Sequence, residues 1–321
     1  MKVLITGITG FTGVHLTEYL PSQGRDKDNI DLYGIDIVGN PSGNSKAMLE
    51  KAKVLTCDIL DEEETEKKIK EIRPDRIFHL AGLTFDPDSD DSPKKFYITN
   101  VLGTINLLEA VRRLGVDSMI HIACSGAEYG VILENEAPIT ENNLFRPITP
   151  YGISKLAQDL IGYQYYKDYG VRIIRTRAFN ITGPGEKKHF VCSDFAHQMA
   201  LIEKGKQEPT IYVGNLEAKR DFVDIRDVVK GYWLALDRGI PGEVYNICSG
   251  KAYSISEILD RLLKMAKKNI AIRNDPKRMR PSDIPFQVGS FAKLHRQTGW
   301  KPIIPIEETL RDLLNYWREK I

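Results

Sequence analysis

Short apolar runs alternate with longer segments of helical periodicity through the first half of the chain. Six runs of four or five residues are expected to form strands buried on both faces: Val3–Thr6, Leu32–Ile35, Lys53–Thr56, Arg76–Leu80, Met119–Ala123 and Arg172–Thr176. Between them the pattern predicts helices near Val14–Gln23, Glu62–Ile72, Lys94–Leu114 and Tyr151–Tyr169. Strands that alternate with helices in this way indicate a doubly wound α/β fold around a parallel sheet.

The second half of the chain is less regular. Short strands are predicted at Thr210–Val213 and Val244–Ile247. Helices are predicted near Ser193–Lys204, Ile225–Asp237, Ile255–Lys267 and Ile306–Lys320. Prolines at positions 281, 285, 302 and 305 interrupt the region before the last helix. A smaller mixed α/β unit is therefore expected beside the parallel sheet.

Composition excludes several classes of function. The 321 residues include 45 lysines and arginines against 44 aspartates and glutamates, a formal net charge of +1. Without a strong field of one sign, no general affinity for nucleic acid is expected. The first apolar run is too short for a secretory signal, and no run approaches the ~20 apolar residues that cross a membrane. These features predict a cytoplasmic protein without nucleic-acid or membrane partners.

The cysteines and histidines do not predict a metal site. Cys57, Cys124, Cys192 and Cys248 are far apart in the sequence and form no close-spaced pair. The six histidines show no metalloprotease-like spacing. Reduced, mostly buried thiols and no metal are expected.

A glycine-rich segment, residues 7–13 (Gly-Ile-Thr-Gly-Phe-Thr-Gly), follows the first strand and opens the first helix. Such glycines permit a tight turn, and the helix N-terminus offers N–H groups to a pyrophosphate. Asp36 ends the second strand, about 20 residues further on, where a carboxylate can bind the adenosine ribose. Together they predict a Rossmann-type dinucleotide site. Because Asp36 would repel a 2′-phosphate and no basic residue follows it before Lys46, NAD(H) is favoured over NADP(H).

Tyr151 and Lys155 are four residues apart at the start of a predicted helix, so their side chains share one face. The lysine cation is expected to lower the pKa of the tyrosine, which can then exchange a proton with a substrate hydroxyl or ketone. Ser125 follows another strand, at the edge of the sheet where ligands bind. These three residues form the predicted catalytic group for hydride transfer to or from a nicotinamide.

These motifs resemble those of the extended short-chain dehydrogenases/reductases, which include nucleotide-sugar epimerases, dehydratases and reductases. The likeness rests on the glycine segment, residues 57–59 (Cys-Asp-Ile), residues 79–82 (His-Leu-Ala-Gly), Asn100, Ser125, and Tyr151 with Lys155. It implies that residues 58 and 59 flank the adenine, that residues 80–82 line the phosphates and ribose, and that Asn100 organises the sheet around the site. The implied cofactor-binding residues are Gly7, Thr9, Gly10, Phe11, Thr12, Gly13, Asp36, Ile37, Asp58, Ile59, Leu80, Ala81, Gly82, Asn100, Tyr151 and Lys155.

The second half resembles the part of this family that binds the sugar nucleotide. By resemblance, the substrate contacts are Ser125, Tyr151, Asn180, Val191, Asn215, Arg220, Arg280 and Asp283. The two arginines suit a diphosphate because a guanidinium presents a planar fork of donors, whereas Arg278 could equally form a surface ion pair. A nucleotide-diphosphate sugar, with GDP favoured, is the implied substrate. We expect residues 1–178 and about 221–250 to bind NAD(P), and about 179–220 and 251–321 to bind the nucleotide sugar.

The turn after the serine strand bears on which reaction is catalysed. Family dehydratases place acidic residues where this chain has Gly126 and Ala127, because loss of water from the sugar needs a base and an acid. Glu128 lies one position too late, so a dehydratase is disfavoured. A reductase is favoured, and a 4-epimerase stays open because it needs only the tyrosine, the lysine and a tightly held NAD. A non-catalytic NAD-sensing protein is the remaining alternative, against which the retained catalytic group argues.

The family resemblance also implies an assembly. Its members often dimerise by packing two helices of each subunit into a four-helix bundle. The corresponding helices here are those near Lys94–Leu114 and Tyr151–Tyr169. A homodimer is therefore expected.

Overall fold

The large sheet carries the edge at which the predicted site lies. The computed structural model describes residues 1–23, 30–37, 50–84, 92–279 and 284–321, with the side chain of Glu134 excepted. The strands are β1 (Lys2–Thr6), β2 (Asp31–Asp36), β3 (Ala52–Thr56), β4 (Arg76–His79), β5 (Met119–Ser125), β6 (Ile173–Ala178), β7 (Asn180–Thr182), β8 (Thr210–Val213), β9 (Lys219–Asp224), β10 (Val244–Ile247), β11 (Ala252–Ser254) and β12 (Ala271–Asn274). Seven of them form a parallel sheet in the order β10-β6-β5-β4-β1-β2-β3. The strand order reverses between β1 and β4, which opens a crevice at the carboxyl ends of the strands. The predicted doubly wound Rossmann-type fold is confirmed.

The six strands predicted in the first half all occur, with ends displaced by at most two residues. β5 extends to Ser125 instead of ending at Ala123, and β6 ends at Ala178 instead of Thr176. The extension matters because it places Ser125 at the last position of its strand. In the second half, β8 and β10 have the predicted bounds.

The helices also follow the predicted order. They are α1 (Phe11–Tyr19), α2 (Glu62–Ile72), α3 (Pro93–Phe96), α4 (Gly103–Arg113), α5 (Pro150–Tyr169), α6 (Val191–Glu203), α7 (Ile225–Arg238), α8 (Ile255–Leu263), α9 (Ala292–Thr298) and α10 (Ile306–Lys320). α1 ends at Tyr19 and gives way to a 3₁₀ turn, Leu20–Gln23, that contains Pro21. The single helix predicted near Lys94–Leu114 is divided by a π-helical stretch, Tyr97–Leu102, which carries the buried Asn100.

Four short strands and one helix were absent from the sequence expectation: β7, β9, β11, β12 and α9. They are hard to recognise because they are short or charged; β9 begins Lys219-Arg220-Asp221, which is typical of a loop. β9 pairs parallel to β7 and antiparallel to β11, and β12 pairs with β8. These small sheets provide the mixed α/β region expected beside the main sheet.

Apolar side chains fill three main layers. One cluster packs α1 and α7 on one face of the large sheet, and a second packs α2, α4 and α5 on the other face. A third cluster joins α6, α8 and α10 to the small sheets. Across the described ranges, no helix has both the length and the apolar character needed to cross a bilayer.

Candidate active site

The glycine segment forms a tight turn between β1 and α1. Gly7 has a φ of +69°, in the left-handed region, and a Cβ there would lie 2.8 Å from the main-chain nitrogen of Ala81. A Cβ on Gly13 would lie 2.5 Å from the carbonyl oxygen of Ile8. Gly10 precedes α1, and no side chain caps the first N–H groups of the helix. Uncapped N–H groups at a helix N-terminus suit a pyrophosphate.

Phe11 and Thr12, also expected in the cofactor site, form the first turn of α1.

Asp36 is held by this turn. Its Oδ2 accepts the main-chain N–H of Thr9 at 3.0 Å and the hydroxyl of the same residue at 2.7 Å. Because both bonds end on one oxygen, Oδ1 retains capacity to accept a ribose hydroxyl. The neighbouring Ile37 has 68% of its surface exposed, so it is open to a ligand at this edge.

Asp58 and Ile59 lie beside Asp36. The N–H of Cys57 donates to the carbonyl oxygen of Asp36 at 2.8 Å, which joins this turn to the end of β2. Asp58 is exposed and its Oδ1 accepts the N–H of Leu60 at 2.9 Å, whereas Ile59 is buried. The carboxylate of Asp58 thus stabilises its own turn.

Ser125 and Tyr151 meet at the carboxyl edge of the sheet. The hydroxyl of Thr149 caps α5 by accepting the N–H of Gly152 at 3.0 Å. A Cβ on Gly152 would lie 2.7 Å from the carbonyl oxygen of Ala127, so glycine lets the helix approach the turn after β5. As a result, the side chain of Tyr151 reaches a hydrogen bond with Ser125.

The protonation state of Tyr151 differs from the sequence expectation. Burial raises the pKa of Tyr151 to about 12; the hydrogen bond with Ser125 lowers it, and Glu128 and Cys124 raise it. The sequence predicted that Lys155 would lower the pKa of Tyr151. That prediction is wrong, because the ammonium of Lys155 donates to other partners. Its Nζ donates to the carbonyl oxygen of Ala123 at 2.9 Å and to a neighbouring glutamine. At neutral pH the phenol is therefore protonated and able to donate a proton.

Asn100 joins α5 to residues 80–83, which follow β4 and are named the cofactor loop for their expected role. Its amide exchanges two hydrogen bonds with the main chain of Leu83, at 2.7 and 3.1 Å, and donates to the hydroxyl of Ser154 at 2.9 Å. A Cβ on Gly82 would lie 2.8 Å from Oδ1 of Asn100 and 3.6 Å from Nζ of Lys155. The segment after β4, residues 80–82, therefore runs beside the lysine ammonium.

A buried ionic network lies behind Ser125. Oε1 of Glu128 accepts the N–H of Ser125 at 2.8 Å, and its Oε2 lies 3.2 Å from Nε of Arg177. Arg177 also donates to Asp159 at 2.9 Å, and Arg175 pairs with the same carboxylate. Burial and the charge of Asp159 raise the pKa of Glu128, and Arg177 opposes that rise. Glu128 is thus fully enclosed and braces the main chain of the serine.

The same network contains a cluster that could in principle bind a metal. Ligand atoms of Cys124, Glu128 and Asp159 lie within 4.8 Å of one another. Two guanidinium groups already neutralise the carboxylates, and burial raises the pKa of the Cys124 thiol. The donor set is therefore better suited to an internal ion network than to a cation.

The expected substrate residues lie near the small sheet that contains β7 and β9. Asn180 begins β7, and its Nδ2 donates to the carbonyl oxygen of Asp221 in β9 at 3.1 Å. Arg220 is half-buried in β9, and Asn215 lies in the loop before it. Val191 is the first residue of α6. The chain thus brings Asn180 next to the strand that carries Arg220.

The carboxylate of Asp221 holds this strand to two distant loops. It accepts the N–H and the hydroxyl of Ser249 at 2.7 and 2.6 Å, the N–H of Gly250 at 2.9 Å and the N–H of Gly289 at 3.1 Å. Burial raises the pKa of Asp221 to about 6, and these donors limit the rise. Asp221 is an anchor that positions its neighbour Arg220.

Arg278 forms the ion pair that the sequence left open. Its Nη1 lies 2.5 Å from Oδ2 of Asp194 on α6. Arg280 and Asp283 lie outside the described residues, so their expected contacts with a nucleotide stay predictions.

A comparison with known families identifies the chain's relatives. Residues 4–313 match the model of the family described as GDP-mannose 4,6-dehydratase. The chain belongs to this family. It is thereby one of the extended short-chain dehydrogenases/reductases, a group of nucleotide-sugar oxidoreductases and epimerases, as its motifs indicated.

Several members of this wider group are similar to the chain over its whole length. GDP-6-deoxy-D-mannose reductase of Pseudomonas aeruginosa is 34% identical over 320 residues, which cover 100% of this chain and 98% of the relative. A solved structure of RMD from Pseudomonas aeruginosa complexed with NADPH has a TM-score of 0.85 at 33% identity, and covers 100% of this chain and 99% of its own. Thermus thermophilus UDP-glucose 4-epimerase in complex with NAD has a TM-score of 0.85 at 29% identity, with full coverage of both chains.

Several residues around the site of this family member were not found by sequence reasoning. Gln158 contacts the ammonium of Lys155, Glu128 braces Ser125, and Asp221 anchors the strand of Arg220. Gln158 could have been noticed, because it lies one helical turn after Lys155 on the same face. The other two depend on contacts that only the folded chain reveals.

Proposed function

We propose that the protein reduces the 4-keto group of GDP-4-keto-6-deoxy-D-mannose to give GDP-D-rhamnose, with a reduced nicotinamide cofactor. The full-length similarity to a GDP-6-deoxy-D-mannose reductase supports the substrate. One observation of the site carries the choice of reaction. The turn of residues 125–128 presents a serine beside a protonated tyrosine, while its one carboxylate, that of Glu128, is enclosed.

The side chains have distinct roles in this reaction. When bound, the reduced nicotinamide supplies a hydride. Tyr151 donates its phenolic proton to the substrate oxygen that becomes the new hydroxyl, and Ser125 orients that oxygen. Lys155 supplies positive charge and a donor beside residues 80–82, where the cofactor ribose is expected. Residues 7–13 hold the pyrophosphate through main-chain N–H groups.

The structure gives a physical reason to disfavour dehydration. A Cβ on Gly126 would lie 3.2 Å from the ring of Phe179, so an acidic side chain does not fit there without displacement of the ring. Glu128 accepts the N–H of Ser125 and pairs with Arg177, which leaves it unavailable to protonate a departing hydroxyl. The turn therefore lacks a free acid at the position where the sugar's C5 and C6 would react.

A 4-epimerase is the second candidate, favoured by the similarity to the Thermus thermophilus enzyme. Epimerisation begins with removal of a hydroxyl proton, for which Tyr151 must act as a base. The same phenol, protonated with a pKa of about 12, acts as acid in reduction and must first act as base in epimerisation. The full-length similarity to the GDP-6-deoxy-D-mannose reductase favours reduction.

The cofactor is proposed to be NAD(H), with NADP(H) as the alternative. The carboxylate of Asp36 is fixed by Thr9. A 2′-phosphate on an adenosine ribose bound beside it would be repelled. The Pseudomonas aeruginosa structure is complexed with NADPH and the Thermus thermophilus structure with NAD, so relatives of both kinds exist.

The test is an assay of purified protein with GDP-4-keto-6-deoxy-D-mannose and either NADH or NADPH. Absorbance at 340 nm follows coenzyme oxidation, and product analysis identifies the sugar. Oxidation with formation of GDP-D-rhamnose is the expected result. Conversion of UDP- or GDP-hexoses to their 4-epimers without net oxidation would support the epimerase instead, and cofactor binding without turnover would point to a sensor.

We also propose that the protein forms a homodimer through α5 and the helical segment from α3 to α4. Exposed apolar side chains project from both elements: Tyr97, Leu102, Ile153, Leu160 and Tyr163. Within this segment the charged Glu109 is already paired with Arg112 and Arg113 and accepts the hydroxyl of Tyr165. The exposed face is therefore apolar and suited to a second copy of itself.

A further inference from the structure

The ammonium of Lys155 is enclosed and bound by neutral oxygens. Lys155 is buried, and the two hydrogen-bond partners of its Nζ, a main-chain carbonyl and an amide oxygen, are both uncharged. Two of its three protons are donated, one to the carbonyl oxygen of Ala123 at 2.9 Å and one to Oε1 of Gln158 at 2.8 Å. The third proton remains for a ligand on the side of the cofactor loop, where Gly82 approaches the ammonium.

Gln158 is itself fixed from its other end. An ammonium can only donate, so the oxygen of the Gln158 amide must face Lys155 and its Nε2 must face away. That nitrogen donates to the hydroxyl of Thr104 at 2.8 Å. Both Gln158 and Thr104 are completely buried. The amide is thus held in one orientation by Lys155 and Thr104.

The chain of hydrogen bonds continues to the cofactor loop. The hydroxyl of Thr104 donates its proton to a main-chain carbonyl at 2.6 Å, so it must accept from Nε2 of His79 at 2.9 Å. Burial lowers the pKa of His79 to about 3, so the ring is neutral with its proton on Nε2. Nδ1 then accepts the hydroxyl of Thr6 at 2.8 Å, and Thr6 accepts the N–H of Ala81 at 3.0 Å.

We propose that Gln158 is a positioning residue for Lys155: it fixes the ammonium beside the cofactor loop through an acceptor that carries no charge. This inference rests on the proposed function for the role of Lys155. It goes further by assigning the lysine's placement to a residue outside the Tyr-x-x-x-Lys motif. A neutral acceptor holds the ammonium and leaves its positive charge uncompensated at the site.

The charge of the partner matters because little else near Lys155 is charged. Burial lowers the pKa of Lys155, and Cys124 and Glu128 on the β5 side raise it. His79 on β4 and His121 on β5 are both neutral, with pKa values that burial lowers to about 3. Loss of the amide oxygen therefore destabilises the ammonium, and a carboxylate in its place stabilises and neutralises it.

Two substitutions of similar size separate these effects. Gln158→Met removes the acceptor, so the ammonium loses its proton at a lower pH. Gln158→Glu supplies an anion, so the ammonium keeps its proton to a higher pH. The first readout is the affinity for the reduced cofactor as a function of pH, measured by fluorescence titration without any sugar substrate. We expect the pH at which affinity is lost to fall by about one unit in the methionine variant and to rise by about one unit in the glutamate variant.

The second readout is turnover. In Gln158→Met, kcat is expected to fall about tenfold, as for loss of a hydrogen bond to a charged group, with KM for the nucleotide sugar unchanged. Gln198→Met is the matched control, because Gln198 is also a buried helical glutamine whose side chain donates to its neighbours, Asp194 among them. It should change neither the pH dependence of cofactor affinity nor kcat.

The outcomes distinguish the inference from its premise. Opposite shifts of the cofactor-binding profile in the two variants support the positioning role even if the sugar substrate proves to be different. If both variants are less stable to heat but bind the cofactor with the wild-type pH dependence, Gln158 is a packing residue and the inference is overturned. Failure of the wild type to bind a nicotinamide cofactor would contradict the proposed function itself.

Discussion

Oδ2 of Asp36 accepts both the main-chain N–H and the hydroxyl of Thr9, at 3.0 and 2.7 Å. The residue that is expected to read the ribose is therefore fixed by the same turn that is expected to hold the pyrophosphate. A rigid carboxylate discriminates more strongly than a mobile one, because it cannot turn away from a second anion.

Removal of this charge should change the coenzyme preference. In Asp36→Ser, the ratio of kcat/KM for NADPH to that for NADH is expected to rise at least about tenfold, which corresponds to ~1.4 kcal/mol of relieved repulsion. Steady-state assays with both coenzymes measure the ratio. Asp36→Glu keeps the charge and serves as the control; it should retain the preference for NADH. A wild type that prefers NADPH would contradict the assignment of Asp36.

Tyr151→Phe should lose the proton donor and little else. We expect kcat to fall by about 10²- to 10⁴-fold, the usual contribution of a positioned acid. The dissociation constant of the cofactor should stay within about twofold of the wild type, because the ring still packs on Phe96. Turnover near the wild-type rate would show that another group delivers the proton.

Glu186 should make stability depend on pH. It is buried, and burial raises its pKa to about 8, against which a hydrogen bond from Thr182 at 2.7 Å acts. The folded protein therefore keeps the proton up to about pH 8, whereas the unfolded chain loses it near its ordinary pKa of ~4.3. The stability that this protonated carboxyl contributes is complete below the unfolded pKa and falls as the pH rises toward 8, by an amount on the order of 5 kcal/mol in total.

Glu186→Gln tests this dependence by urea unfolding between pH 5 and 8. The variant should resemble the wild type at pH 5, where the acid is protonated, and exceed its free energy of unfolding at pH 8. Glu319→Gln, at an exposed position, is the control and should follow the wild type throughout. Parallel curves for Glu186→Gln and the wild type would show that the carboxyl ionises normally.

The proposed dimer can be tested on two exposed leucines. Leu102 and Leu160 are 49% and 51% exposed, and glutamate at both positions would place charges in an apolar interface. Light scattering at micromolar concentration should give a dimeric mass for the wild type and a monomeric mass for the double variant. Ile303→Glu, at a position 60% exposed elsewhere on the chain, should leave the mass unchanged. A monomeric wild type would contradict the proposal.

The large sheet could be predicted because its strands are buried on both faces, so each is a nearly continuous apolar run. The strand that carries Arg220 could not, because its first three residues are charged and its polar groups are satisfied by contacts with distant loops. Periodicity reports burial, and it fails where a strand is stabilised by buried hydrogen bonds instead.

The site could be predicted in its motifs but not in its electrostatics. The family resemblance implied that residues 80–82 line the cofactor, and spacing placed Tyr151 and Lys155 on one helix face. It could not show that the ammonium donates toward Ala123 and Gln158, which leaves the pKa of Tyr151 raised by burial. The direction of a hydrogen bond depends on neighbours from other parts of the chain, and those neighbours are fixed only by the fold.

The anchoring of β9 by Asp221 has a consequence for engineering. One carboxylate joins the strand of Arg220 to the loops at residues 249–250 and 289, and the main chain of the same residue holds Asn180. Exchange of the segment 214–220 alone with that of a relative would graft new side chains onto a frame set by three other parts of the chain. Altered nucleotide preference is therefore better sought by transplanting these four pieces together than by swapping one loop.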